Sequence, residues 1–225
     1  MHVDTQQQAM TQQGLSLNTW DQRWKDGQIQ WHDKTPHKDL LKSQDDILFK
    51  ANTRVFFPLC GKAVDMKYVT DLGHRAVGLE FSEVACHDFF TENSIAYESA
   101  PSGVDARFRV FSGGNVTLFC GDFFQATEKL LGKFDSIWDR GSMVAVDPGD
   151  RSRYARVMSS LVDAHSRYFL QAISYDQSQR NGPPFSLPRE QVTQLYGDQF
   201  DVGIREESGN DGRWLETKYT LTVKQ

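Results

Sequence analysis

Apolar positions along this chain follow two periods. Trp20 and Trp24 recur one helical turn apart, whereas 55–59 and 76–79 are apolar almost without interruption. The first pattern predicts an amphipathic helix, and the second predicts short strands buried on both faces. Helices are therefore expected over 15–24, 39–50, 63–72, 83–93, 151–163 and 188–196, with strands over 55–59, 76–79, 134–138 and 167–173. Ser16, Ser82 and Asp150 stand where N-caps are needed, and Asp147-Pro148-Gly149 marks a turn. Two β-prone runs, 108–111 and 116–120, flank Gly113-Gly114-Asn115 and read as a hairpin. Runs 200–205 and 219–223 are expected to close the sheet as an antiparallel pair. Strands alternating with helices, without an internal repeat or linker, give one α/β domain over 15–225, preceded by a disordered polar tail over 1–14.

Composition narrows the functional classes. A chain of 225 residues is long enough to bury one substantial core without metal or disulfides. A formal charge of −5, with no basic run, argues against a nucleic-acid or anionic-membrane partner, and no apolar stretch approaches a membrane span. Cys60, Cys86 and Cys120 cannot all pair and lack zinc-ligand spacing, so no metal site is expected. The Gln-rich first residues resemble neither a signal nor a transit peptide, and a cytoplasmic protein is the expectation. The lack of an excess apolar helix face favours a monomer.

The densest chemical signal is the unit from Arg54 to Glu80: strand, a loop built on Cys60-Gly61-Lys62, helix, strand, then a carboxylate. Nineteen residues separate Gly61 from Glu80, close to the roughly 20 that set an acidic residue on a ribose in nucleotide-binding βαβ units. One glycine is too few to bring backbone up to a pyrophosphate, which disfavours a dinucleotide oxidoreductase. S-adenosylmethionine fits better, since its adenosine needs an acidic ribose partner and its methionine end needs no phosphate cradle. A buried strand capped by a surface glutamate is the plainer alternative.

Three separated motifs, Arg54-Val55-Phe56-Phe57-Pro58-Leu59-Cys60-Gly61-Lys62-Ala63, Ile137-Trp138-Asp139-Arg140-Gly141 and Gly182-Pro183-Pro184-Phe185, strongly resemble the thiopurine S-methyltransferase family. The similarity runs from about Trp20 to the C-terminus. It implies the class I methyltransferase (Rossmann-like) fold, α/β with a seven-stranded, mostly parallel sheet, one strand antiparallel and helices on both faces. It also implies S-adenosylmethionine-dependent methylation of sulfur on small aromatic or heterocyclic thiols.

By this resemblance Trp20, Trp24 and Trp31 cover the methyl donor, with Trp31 also near the acceptor; Trp20 and Trp24 also read as plain core anchors. Leu59 and Gly61 lie against the methionine moiety and Glu80 on the ribose. Asp122 and Phe123 read adenine, although Asp122 reads equally well as a strand-end turn residue. Arg140 stands near both cofactor and acceptor. Asp139 is expected to orient it and is a candidate proton acceptor, unless the two form only a structural pair. Pro183 and Pro184 form an acceptor-side wall, or simply a rigid loop, and Arg213 is a second acceptor-side cation. His32 is the histidine expected nearest the site. Two other activities stay open: methylation of selenium, tellurium or inorganic sulfur species, and cofactor binding without transfer.

Overall fold

A computed structural model describes residues 15–210 and 213–225; the tail expected over 1–14 lies outside the described residues. The chain order is α1 (Leu17–Lys25), α2 (Lys38–Lys42), α3 (Gln44–Ile47), β1 (Arg54–Pro58), α4 (Val64–Asp71), β2 (Arg75–Glu80), α5 (Glu83–Glu92), β3 (Glu98–Pro101), β4 (Arg109–Gly113), β5 (Val116–Cys120), α6 (Glu128–Leu131), β6 (Ser136–Asp139), α7 (Arg151–Ser160), β7 (Arg167–Ser174), α8 (Arg189–Tyr196), β8 (Phe200–Asn210) and β9 (Trp214–Val223).

Central strands that are apolar throughout sink between two helical layers. All of β6 is buried, as are β1 and β2 beyond their first residues. Their pleat divides the core. Phe56, Leu79 and Ile137 join Tyr154, Met158, Tyr168, Val192 and Tyr196 on one face, and Val55, Phe57, Trp138 and Phe169 join Leu40, Ile47, Met66 and Phe89 on the other. Each such fully buried large apolar side chain contributes about 1.5–3 kcal/mol.

The sheet runs β3-β4-β5-β2-β1-β6-β7-β9-β8. Strands β5, β2, β1, β6 and β7 are parallel neighbours, while β9 is antiparallel to both β7 and β8. These seven are the expected sheet. The strand count of seven is corrected to nine, because the hairpin's first strand β4 pairs antiparallel with β5 and recruits β3. β3 has all four residues exposed, so it carries no apolar alternation, which is how edge strands resist pairing with other chains.

The single helix expected over 39–50 is two short ones. Ser43 caps the end of α2 with its N–H on the Asp39 and Leu40 carbonyls, and the Ile47 carbonyl is diverted to the Ser136 hydroxyl at 2.6 Å. Helix α7 ends at Ser160, and Asp150 holds its N-cap position without a side-chain cap bond. The closing pair is longer than expected and carries a register shift between Ile204 and Glu206. No helix among the described residues is long and apolar enough to cross a membrane.

Candidate active site

Because β5, β2, β1, β6 and β7 run the same way, their carboxyl ends share one edge. The chain builds outward from β1 to β2 and β5, then returns to β6 and β7, so the order reverses between β1 and β6. Ligands of open α/β sheets bind at such a point. The loop after β1 and the turn after β6 meet there, tied by the Ser142 hydroxyl donating to the Pro58 carbonyl at 2.6 Å.

The β1 loop is bent by two departures from ordinary backbone. Leu59 has φ +44 and Gly61 φ +51, and the former costs a non-glycine residue about 1–2 kcal/mol. At Gly61 any Cβ would lie 2.6 Å from Trp24 Cζ2. The bend aims the Gly61 N–H at Glu80 Oε2, 2.8 Å away, while Oε1 accepts from Phe81 N at 2.8 Å and Ser82 N at 2.9 Å. Burial pushes the Glu80 carboxyl above its ordinary range, against the pull of these three N–H donors. A carboxylate offers about four lone-pair sites, which leaves one for a further donor.

Helix α1 is fastened over this half. The Ser82 hydroxyl donates to Asp21 Oδ1 at 2.9 Å instead of capping α5. The three indoles form one cluster, with Trp31 edge-on to Trp20 at 5.2 Å and to Trp24 at 6.0 Å between centroids. Trp24 is buried, whereas Trp31 is 39% exposed. Lys62 lies beneath Trp24, its Nζ 5.9 Å from the ring centre and bonded to Asp88 at 3.1 Å and Glu92 at 2.6 Å. Burial pulls the Lys62 pKa down, but those carboxylates outweigh it and leave it raised. His32 is lowered, by burial first and by Lys62 second, which favours the neutral ring.

Asp122 caps the turn that follows β5, its Oδ1 accepting from Phe124 N at 2.9 Å. The Phe123 ring is buried and stacked on Tyr154 at 4.6 Å. One of its faces therefore belongs to the core.

Asp139, the last residue of β6, and Arg140, the first beyond it, part company. Asp139 turns inward. Its Oδ1 accepts from Met143 N at 3.1 Å, and its Oδ2 from the Tyr154 hydroxyl at 2.8 Å and the Tyr168 hydroxyl at 2.7 Å, with Tyr196 hydrogen-bonded to Tyr168. Burial raises the Asp139 pKa to about 6 despite these donors. The expectation that Asp139 orients Arg140 is corrected: Arg140 Nη2 pairs instead with Asp33 Oδ2 at 2.9 Å. What Asp139 holds is the turn itself, through Met143.

The proline loop packs nearby. Tyr175 donates its hydroxyl to the Pro184 carbonyl at 2.5 Å and stacks on Trp214 at 5.3 Å. Arg151, buried, donates to the Ser186 carbonyl at 2.9 Å and the Phe185 carbonyl at 3.2 Å, and Phe185 N bonds the Val144 carbonyl at 2.6 Å. Pro183 lies in the same loop, its peptide bonds on both sides cis. Arg213 is exposed in the turn before Trp214. Asp33, Lys62, Asp21, Ser82 and Arg151 were not among the expected site residues. Lys62 and Arg151 stand within or beside quoted motifs, while Asp33, two residues after Trp31, carries no local signal.

A sheet that reverses its order between β1 and β6, with the buried Glu80 ending β2 beside the β1 loop, is the architecture of a class I S-adenosylmethionine-dependent methyltransferase. A Burkholderia thailandensis 1,6-didemethyltoxoflavin-N1-methyltransferase, solved with S-adenosylhomocysteine, shares the fold at TM-score 0.65 and 13% identity, over 92% of this chain and 87% of that one. An Anabaena variabilis S-adenosylmethionine-dependent methyltransferase gives 0.63 and 12%, over 94% and 100%. The chain belongs to the thiopurine S-methyltransferase family, which it matches over residues 15–219. The Panthera leo thiopurine S-methyltransferase is 43% identical over 84% of this chain and 78% of its own, and the Mus musculus one 39% over 92% and 86%. S-adenosylmethionine is thus the cofactor. The residues present fit it, because three backbone N–H donors leave Glu80 one lone pair for a hydroxyl donor.

Proposed function

We propose that this methyltransferase transfers the methyl group to sulfur on small aromatic or heterocyclic thiols, thiopurines among them. The observation that carries the reading is Arg140, at the reversal point of the sheet and 31% exposed, with the half-open Trp31 in the segment that reaches it through Asp33. A guanidinium, with an indole carried on the segment it is paired to, suits a flat acceptor bearing negative charge. The thiopurine S-methyltransferases of Panthera leo and Mus musculus, by their names, act on such acceptors.

S-adenosylmethionine supplies an electrophilic methyl on a sulfonium, which an acceptor thiolate takes by in-line displacement, leaving a thioether and S-adenosylhomocysteine. The chain's task is to bind, align and dry the reactants. Glu80 holds the ribose with its remaining lone pair, and the Leu59–Gly61 bend lies along the methionine end. Trp20, Trp24 and Trp31 shut water out, their faces contributing about 0.5–2 kcal/mol toward a cation. Asp122 stands at the adenine side. Arg140 hydrogen-bonds the acceptor anion, Pro183 and Pro184 wall the far side, and Arg213 adds positive potential at its rim. No protein nucleophile is needed, and aromatic thiols ionise readily enough to dispense with a strong base. Asp139, its oxygens engaged by two tyrosines and a backbone N–H, serves as a positioning residue for the Arg140 turn.

The test is incubation of the full chain with methyl-labelled S-adenosylmethionine and a thiopurine, with products resolved by mass spectrometry. S-methylthiopurine is expected. Binding of the cofactor without methylation of thiopurines or thiophenols would overturn the reading.

A further inference from the structure

The Asp33–Arg140 pair sits where the acceptor is proposed to bind, and the fold holds both partners from one frame. The segment carrying Asp33 is pinned on one side by Asp21 to Ser82. On the other side His37 N donates to Asp65 Oδ1 at 2.7 Å, and Asp65 Oδ2 accepts from Trp138 Nε1 at 3.0 Å. Trp138 lies two residues before Arg140, on the strand that Arg140 follows. Asp33 is therefore presented to Arg140 from a short, doubly tethered stretch. Both side chains are accessible, at 50% and 31% exposure, and exposed ion pairs are weak enough to be displaced.

We infer that Asp33 is a specificity-determining residue that competes with anionic groups of the acceptor for the Arg140 guanidinium. The inference rests on the proposed thiol-methyltransferase reading. While the carboxylate occupies Arg140, the fraction of protein ready to receive an anion falls, and the apparent KM rises by the inverse of that fraction. An acceptor that carries a carboxylate besides its thiolate loses more to this competition than one whose single charge sits on sulfur. The enzyme thereby discriminates against acidic acceptors, and an acidic acceptor that binds frees Asp33, two residues from Trp31.

The test compares wild type, Asp33→Asn and Asp33→Glu with 4-mercaptobenzoate and 4-methylbenzenethiol, which share a ring and differ in one carboxylate. In Asp33→Asn the ratio of KM for the carboxylate thiol to KM for the methyl one is expected to fall about three- to fivefold. The change falls on KM rather than kcat, and Asp33→Glu restores the wild-type ratio. An unchanged ratio overturns the inference, as does a loss of S-adenosylmethionine affinity in Asp33→Asn that leaves the ratio alone, since Asp33 would then be a latch for the segment. If wild type methylates neither thiol, the thiol reading fails instead. Benzoate binding followed by tryptophan fluorescence then decides: tighter binding in Asp33→Asn upholds competition at Arg140, and equal binding refutes it.

Discussion

The two halves of this site are built by different means. On the side proposed for the cofactor, the backbone N–H groups of Gly61, Phe81 and Ser82 all donate to the buried Glu80 carboxylate. On the acceptor side, Arg140 reaches an exposed carboxylate from the N-terminal segment, and the proline loop is held by Tyr175, just past β7, and by Arg151 of α7. In the proposed reading, the cofactor is met by a carboxylate that backbone fixes in place, while the acceptor meets side chains that can exchange partners. Under the Arg140 half lies a buried polar cluster, Asp139 with Tyr154 and Tyr168.

The largest break is expected from Asp139→Ala. It strands the Tyr154 hydroxyl and Met143 N in the core, while Tyr168 keeps its Tyr196 partner; each unsatisfied group costs about 1–3 kcal/mol, so urea unfolding should register a loss of about 4 kcal/mol. If the halves are separable, the folded variant shows a raised acceptor KM from the loosened Arg140 turn and a nearly unchanged S-adenosylmethionine Kd. Equal losses on both sides would erase the distinction.

Glu80→Gln attacks the other half. The amide retains one acceptor oxygen but turns an NH₂ toward backbone N–H donors, and it cannot accept as an anion. Calorimetry should show S-adenosylmethionine binding about thirtyfold weaker, some 2 kcal/mol, with acceptor KM at saturating cofactor changed less than about twofold. Unaltered cofactor affinity would remove Glu80 from the ribose.

Gly61→Ala is a gentler probe of the same loop. Its Cβ would press on Trp24 Cζ2 at 2.6 Å, and φ +51 is unfavourable for alanine. Displacing the indole should weaken the cofactor about tenfold, near 1.4 kcal/mol, with a shift in tryptophan emission. A full-affinity variant would show that Trp24 and the loop yield freely.

The cofactor half was legible because it is local. Gly61 and Glu80 lie nineteen residues apart in one motif, and apolar runs mark the strands that set them. The acceptor half joins Asp33 to Arg140 across more than a hundred positions, and no periodicity announces such a meeting. The inward turn of Asp139 follows from pleat parity with Ile137, but its tyrosine partners come from α7 and β7, which only the fold brings beneath it. Strand β3 was hidden for the opposite reason, its exposed residues lacking any alternation.

The smallest effect separates the buried carboxylates of the two halves by pH. Asp139 has its pKa raised from 3.8 to about 6, so between those values the folded state holds more protons than the unfolded one. Stability from this group therefore rises as pH falls through 6, and it is lost again as pH climbs above 6. Moving from about pH 7 to about pH 5 should add about 1.3 kcal/mol from this group. Glu80 is shifted in the same direction, so the slope of wild type mixes both, and Asp139→Asn removes only the acceptor-side share. Saturating S-adenosylmethionine engages Glu80 and favours its ionised form, which shrinks its contribution, whereas Asp139 faces tyrosines of the core. The difference between wild type and Asp139→Asn across about pH 5–7 should then be the same with and without cofactor. A difference that collapses on binding would mean that the cofactor reaches Asp139 through the β6 turn, and that the two halves respond as one.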